Sequence, residues 1–324
     1  MKTLLNKIVS ISDILVSPLV LLSSLILKGI REVGIEKVPV CRKIFDIIGI
    51  YPVTDHYYEP YYKRSRISKS LREDRRLIGI DFNEKEQLEL LEQFHYNNEL
   101  LNFPIEKPNN SAAPQFYYNN PNFKSGDAEY LYNIVRLFKP SRIIEIGSGY
   151  STLIAHEANV LNEKENSDLK CSHTCIEPYQ RNWLEEIGVR VIREVVEKID
   201  LQFFANLNQN DILFIDSTHI IRPQGDVLYE YLQILPSLNS GVIIHIHDIF
   251  TPKDYLDRWI LDEVKFWNEQ YLLEAFLSFN KYFKIIGALN FLAHHYLKEL
   301  SSKCPVYSKQ SSSREPGSIW LKKI

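Results

Sequence analysis

Arg142-Ile143-Ile144-Glu145-Ile146-Gly147-Ser148-Gly149-Tyr150-Ser151-Thr152 reads as a short apolar strand, a glycine turn, and a helix running from 151 to about 161. Glycine lets the backbone turn tightly and approach a ligand closely. Outward from this turn the chain alternates. Strands are predicted at 174–176, ending at Glu177, at 189–192, at 212–215, ending at Asp216, and at 242–246. Helices are predicted at about 127–137, 180–187, 201–206, 226–235 and 259–279. Such alternation specifies an α/β fold with a doubly wound, parallel, Rossmann-like sheet. Right-handed crossovers put every strand C-terminus on one edge, where ligands bind. Glu145, Gly147, Glu177, Asp216, His219, His247 and Asp248 all fall at or just beyond those ends. Residues 284–286 and 318–322 are two further strands, the last returning antiparallel, and the polar 301–315 between them reads as a loop.

The turn also discriminates between ligands. A dinucleotide fingerprint requires a third glycine at position 152, where Thr152 stands, which argues against NAD. Glu145, two residues before Gly147, suits a cationic amine rather than a diphosphate. S-adenosylmethionine carries an ammonium and a sulfonium and no phosphate. Glu177, 28 residues after Gly149, stands where an acid accepts hydrogen bonds from ribose hydroxyls. A nicotinamide oxidoreductase and a non-catalytic module that kept the fold are the competing classes.

At these residues the chain resembles class I S-adenosylmethionine-dependent methyltransferases. Residues 142–152 are similar to their first motif, and Cys175-Ile176-Glu177-Pro178 to their second. More narrowly, Phe214-Ile215-Asp216-Ser217-Thr218-His219, the run Val242 to Phe250, and Trp267-Asn268-Glu269-Gln270-Tyr271-Leu272-Leu273 resemble the bacterial "methyltransferase domain 24" family. The resemblance covers about 114–324. It implies seven strands with the last reversed, and a cofactor set of Glu145, Gly147, Ser148, Gly149, Tyr150, Ser151, Glu177 and Asp216. Ser151 stands where many class I enzymes have a third glycine. A more distant resemblance, to metal-dependent catechol-type O-methyltransferases, implies Asp216 and Asp248 as ligands of a divalent cation and His219 as general base. Ile249 occupies the place of their third ligand, an Asn or Asp. His245 and His247 share a strand face. They either replace the missing oxygen donor, which favours a transition metal over magnesium, or are buried strand histidines. His247 is the alternative base. Cys171 and Cys175 have no second pair to complete a zinc site, His294-His295 has no nearby acid, and Asp226 reads as a helix cap.

The 324 residues carry 38 Lys/Arg and 41 Asp/Glu, a formal charge of -3, and four cysteines. A nucleic-acid binder and a disulfide scaffold are disfavoured. The charge is divided: residues 1–80 hold 14 Lys/Arg against 8 Asp/Glu, leaving 24 against 33 in the remainder. Residues 1–113 therefore read as a basic, helical N-terminal extension and 114–324 as the methyltransferase body. Between Lys7 and Lys28 the only charge is Asp13. This run either lies on a membrane, packs on the body, or spans, with Lys28, Arg31, Lys37, Arg42 and Lys43 suited to an anionic leaflet. Pro18 is expected to kink it. The basic run 63–76 reads as a solvated helical face or as a surface for an acidic substrate or lipid headgroups, and the aromatic run 56–62 as structural or sugar-facing. Residues 84–101 have helical periodicity, and 103–122 read as a linker or ordered loop. The expected activity is O-methylation of a hydroxyl on a sugar, glycolipid or secondary metabolite. The acceptor is a small molecule or is linked to a glycan or lipid. The expected location is the cytoplasm, with peripheral contact of 1–45 at the inner membrane face left open.

Overall fold

The computed structural model describes residues 2–109, 114–179 and 183–324. By contacts the chain divides into two compact units, Met1–Ser70 and Leu71–Ile324.

The first unit holds helix α1 (Lys2–Val33) and helix α2 (Pro39–Ile48). Pro18 lies inside α1, which is unbroken. Val9–Val33 has a mean hydropathy of 2.0 and no buried residue in its most apolar window; among the described residues it alone is long and apolar enough to cross a membrane. Pro39 opens α2, where a missing N–H costs nothing, and Gly49 at φ +75° closes it. Arg31 reaches Tyr51 Oη (2.6 Å) and pairs with Glu59. Residues 63–66 form only the single turn Arg64–Arg66.

The second unit begins before the expected body. Helices α3 (Glu84–Glu92) and α4 (Asn97–Leu100) break the helix expected over 84–101, and they bury Leu90, Leu91 and Leu100 in its core. Arg75 ties its guanidinium to Glu274 Oε2 (2.7 Å) and Asp254 Oδ1 (3.1 Å), so this end of the basic run is structural rather than a solvated face. The expected boundary at 113/114 adjoins residues 110–113, outside the described ones.

The sheet has seven strands: β1 (Arg142–Ile146), β2 (Ser172–Ile176), β3 (Arg190–Ile192), β4 (Ile212–Ile215), β5 (Ile243–His247), β6 (Phe283–Ala288) and β7 (Ser318–Lys323). Their spatial order is β3-β2-β1-β4-β5-β7-β6, with β7 antiparallel to both neighbours and the rest parallel. This is the doubly wound sheet with a reversed last strand that the sequence predicts. The order reverses at β1, which pairs with β2 on one side and β4 on the other. A crevice opens at such a point.

Helices α5 (Asp127–Phe138) and α6 (Tyr150–Glu165) cover one face, and α7 (Leu201–Ala205), α8 (Asp226–Tyr229), α9 (Leu235–Ser237) and α10 (Glu269–Leu277) the other. Period two sorts the strand residues: Ile143 and Phe214 face α5 and α6, while Ile144, Ile146 and Ile215 face the second layer. Between α8 and α9 the chain forms a π-turn at Glu230–Ile234, and a second π-turn spans Arg258–Asp262.

Three expected elements differ. The helix at 259–279 is split: residues 263–268 form a loop with Val264 at φ +52°, and α10 starts only at Glu269. The loop at 301–315 contains the end of α12 (Leu297–Lys303, after α11, Leu289–His295) and α13 (Pro305–Gln310). Buried Glu129 explains α13, since its carboxylate accepts the orphan Val306 and Tyr307 N–H groups (2.7 and 2.9 Å). Of the helix expected at 180–187, residues 180–182 lie outside the described ones, and the remainder includes a single turn, Glu185–Ile187.

Candidate active site

Gly147 begins the site. It has φ +76°, and a Cβ there would sit 1.9 Å from the Asp216 carbonyl oxygen. Only glycine lets the ends of β1 and β4 come this close. Gly147 N–H donates to Ile176 O (3.1 Å) and Asp216 N–H to Ile146 O (2.9 Å), which locks three strand ends together. Thr152 Oγ1 accepts the Gly149 N–H (3.0 Å). A side chain at 152 thus closes the first turn of α6, where a dinucleotide site would need glycine.

Beyond this turn lies a cleft of about 660 Å³, lined by Gly147, Glu177, Tyr179, Val196, Asp216 and Arg222 among others. Glu177 accepts the Ser148 and Tyr179 N–H groups (3.2 and 3.0 Å), which aims its carboxylate along the rim. Glu145 lies on the opposite face and does not line the cleft. It accepts Ser151 Oγ (2.5 Å), and His173 Nε2 is 2.9 Å from its other oxygen, with Cys175 Sγ at 3.6 Å. Strand alternation explains this: Ile146, the next residue, is the one that reaches the cleft. Tyr150 packs edge-on against Tyr117, their hydroxyls 3.2 Å apart.

Asp216, Ser217 and Thr218 are shared with a second, more polar pocket of about 940 Å³. It is also lined by Lys124, His219, His247, Asp248, Trp259 and Trp267. Here the expected His and Asp residues meet. His219 Nε2 is 3.3 Å from Asp216 Oδ1 and 3.5 Å from Asp248 Oδ2, and His247 Nε2 is 3.6 Å from Asp248 Oδ1. The donor atoms of Asp216, His219 and Asp248 all lie within 4.8 Å of one another. His219 and Asp248 both take positive φ, +62° and +56°. For non-glycine residues this is strain of roughly 1–3 kcal/mol each, held by the surroundings.

Those surroundings centre on Glu269, which lies in the family-like run 267–273 but was given no role from the sequence. It is fully buried, 2.7 Å from His219 Nδ1, and accepts Tyr231 Oη (3.0 Å). The bracing is reciprocal, because His219 O accepts the Asn268 and Glu269 N–H groups (3.0 and 3.2 Å) at the start of α10. Fixing Nδ1–H on a carboxylate leaves Nε2 facing the pocket. Burial pulls the His219 pKa down, but the Asp216 and Glu269 hydrogen bonds and the Glu269 and Asp248 charges outweigh it, and the net shift is well upward. Burial, with the Glu269 and Asp226 charges, pushes neighbouring Glu230 well above the usual carboxylate range, and it accepts Ser217 Oγ–H (3.0 Å). The π-turn lets consecutive residues, Glu230 and Tyr231, both point inward.

His245 does not join the group. It stacks on Phe214 (4.0 Å, 11°) and burial drives it well below its usual pKa, so it is a neutral core residue. Asp226 accepts Thr218 N–H and Oγ1–H (2.9 and 2.7 Å), holding the loop after β4; Gly225 occupies the cap position. His294 and His295 do have acids nearby, Glu315 (3.0 Å) and Asp74 (2.8 Å), supplied from distant sequence.

The sequence profile of a family described as "methyltransferase domain" matches residues 144–249, from within β1 to just past β5. Over 187 residues the chain is 33% identical to an uncharacterized protein of Archaeoglobus fulgidus, covering 56% of this chain and 78% of that one. The chain belongs to the methyltransferase-domain family. This methyltransferase is of class I and S-adenosylmethionine-dependent, as its first motif implies. Among solved structures, it is similar to an O-methyltransferase from Bacillus cereus in complex with SAH (15% identity, 74% of this chain, 91% of that chain, TM-score 0.37). It is also similar to a SAM-dependent methyltransferase from Archaeoglobus fulgidus (12% identity, 62% and 95%, TM-score 0.30).

Proposed function

We propose that this methyltransferase acts on a hydroxyl group of a small acceptor seated in the His219 pocket, with S-adenosylmethionine in the adjoining cleft. The Glu269–His219 pair supports this reading, because Nε2, with Asp216 and Asp248 beside it, faces a pocket that shares Asp216 with that cleft. Glu177 is placed to accept the ribose hydroxyls, and Glu145 acts indirectly, by holding Ser151 and the first turn of α6. Bound there, S-adenosylmethionine supplies an electrophilic methyl group on a sulfonium.

His219 Nε2 takes the acceptor proton as the hydroxyl oxygen bonds to the methyl carbon and the carbon–sulfur bond breaks. Glu269 fixes the tautomer and stabilises the imidazolium that forms, which is the role of the carboxylate in a catalytic triad. Asp216 and Asp248 would hold a divalent cation through carboxylate oxygens that approach within 4.8 Å of each other, leaving His219 Nε2 to act as base. Such an ion, when bound, acidifies the hydroxyl and cancels the carboxylate field on His219. The buried His247 keeps Asp248 in place and is the secondary candidate for proton transfer.

The exposed apolar α1 with its basic C-terminal end supports membrane contact through 1–45, which suits a glycan- or lipid-linked acceptor. Flotation of the full chain with anionic vesicles tests that part. For the chemistry, product formation from labelled S-adenosylmethionine is measured against hydroxylated acceptors. His219→Ala should bind S-adenosylhomocysteine normally and lose turnover by at least ~10²-fold. Unchanged turnover would overturn the assignment.

A further inference from the structure

Helix α2 turns its apolar side outward. Val40, Ile44, Ile47 and Ile48 recur at i, i+4, i+7 and i+8, which places them in one stripe along the helix. All four are exposed, at 72, 47, 75 and 61%. The buried residue of α2 is Phe45, which lies off this stripe and packs edge-on against Tyr51 with ring centroids 6.5 Å apart. The fold thus holds α2 by Phe45 and leaves the stripe uncovered. Arg42, Lys43 and Asp46 take the remaining, polar side, and all three are exposed. Ile50, Tyr57 and Tyr58 follow, exposed as well.

Such a stripe fits either a protein groove or a lipid surface, and two features favour lipid. The first is continuity with α1. Its apolar stretch Val9–Val33 has 25 residues, about 37 Å of helix against the ~30 Å of a hydrocarbon core. The chain leaves α1 through Gly34 at φ +103°, which frees α2 from the α1 axis. The second is composition. A helix lying in a membrane surface buries one apolar stripe and keeps basic side chains at headgroup level, with tyrosines beside it at the boundary. On α2 two cations stand against one acid, which suits an anionic leaflet.

We propose that α2 is an in-plane interfacial helix. Val40, Ile44, Ile47 and Ile48 sink to the boundary between headgroups and acyl chains of an anionic leaflet, and Arg42 and Lys43 stay among the headgroups. This rests on the reading that residues 1–45 contact a membrane, and it adds the depth and orientation of one helix.

The test places a nitrobenzoxadiazole label, which brightens in an apolar environment, at single positions of the full chain. Labels are carried by Ile44→Cys, Ile47→Cys, Arg42→Cys and Asp46→Cys in a Cys41→Ser background, and the Cys41→Ser chain alone gives the signal from the other cysteines. These positions are exposed, and circular dichroism checks that each chain is folded. On vesicles of phosphatidylcholine with phosphatidylserine, the label at 44 and 47 should brighten at least ~threefold and shift to the blue, while the label at 42 and 46 changes little. Leaving out phosphatidylserine should weaken the response at 47 at least ~twofold, and Arg42→Gln with Lys43→Gln should abolish that difference. Equal brightening at all four positions, brightening at none while the chain still floats with the vesicles, or an equal response on neutral vesicles would overturn the proposal and leave membrane contact standing. Brightening at 44 and 47 without vesicles, growing with protein concentration, would overturn it in favour of a second copy of the chain. A chain that does not float with vesicles at all would overturn the reading on which the proposal rests.

Discussion

Gly147→Ala separates the two costs that the β1 turn avoids. The first is conformational: at φ +76° a side chain adds roughly 1–2 kcal/mol. The second is contact. The new Cβ would lie 1.9 Å from Asp216 O, so β1 and β4 must part by more than about 1 Å, because approaches closer than 3.0 Å do not occur. The bonds from Gly147 to Ile176 O and from Asp216 to Ile146 O lie at this point. Losing one adds about 1 kcal/mol. The expected loss is therefore roughly 2–3 kcal/mol in urea unfolding. Because Asp216 borders both pockets, a ~1 Å displacement should also cost turnover about 10²-fold. Gly188→Ala is the internal control: φ is +83°, but no atom lies within 4 Å of its Cβ position. It should lose only the roughly 1–2 kcal/mol of the conformational term and keep full affinity for S-adenosylhomocysteine. If Gly147→Ala matched Gly188→Ala in both stability and affinity, the close approach of β1 and β4 would be refuted.

Glu269→Gln should lower kcat at least ~10²-fold with little change in the KM for S-adenosylmethionine, because it removes the charge behind His219 without touching the cleft; equal kcat would remove Glu269 from the mechanism. Chelation with EDTA should reduce turnover and leave S-adenosylhomocysteine affinity intact, with activity restored by manganese or zinc; chelator-insensitive turnover would discard the Asp216–Asp248 cation. Burial raises the Glu129 pKa from 4.5 to about 7 despite the backbone N–H groups it accepts. A raised carboxyl favours the fold in its protonated form. That stabilisation is complete below the unfolded pKa and is lost as pH rises through about 7. The loss is up to about 3 kcal/mol. Urea unfolding at pH 4.5 and pH 8 should show this decline in the wild type and not in Glu129→Gln.

Strand ends were readable because a parallel sheet concentrates short apolar runs, and the polar residue closing each run lands on the binding edge. Thus Gly147, Glu177, Asp216, His219 and Asp248 were identifiable, and the structure gathers them around two adjoining pockets. Glu145 shows the limit of that reading, since position along the strand says which end a residue occupies, while parity says which face. Glu269 was hidden for another reason. Inside a helix expected over 259–279 a glutamate reads as an ordinary surface residue, and only the tertiary approach of His219 gives it a partner 50 residues distant. The same holds for α13, whose free N–H groups are met by Glu129 from across the fold. The break before α10 is set by a loop in which Lys265 inserts between two tryptophans, a contact that helical periodicity cannot encode.

The most direct measurement is calorimetric titration of the full chain with S-adenosylhomocysteine, with NAD titrated in parallel. One S-adenosylhomocysteine per chain should bind with micromolar or tighter affinity, weakened at least tenfold by Glu177→Ala, with no heat from NAD. Binding of NAD without S-adenosylhomocysteine would refute the methyltransferase assignment.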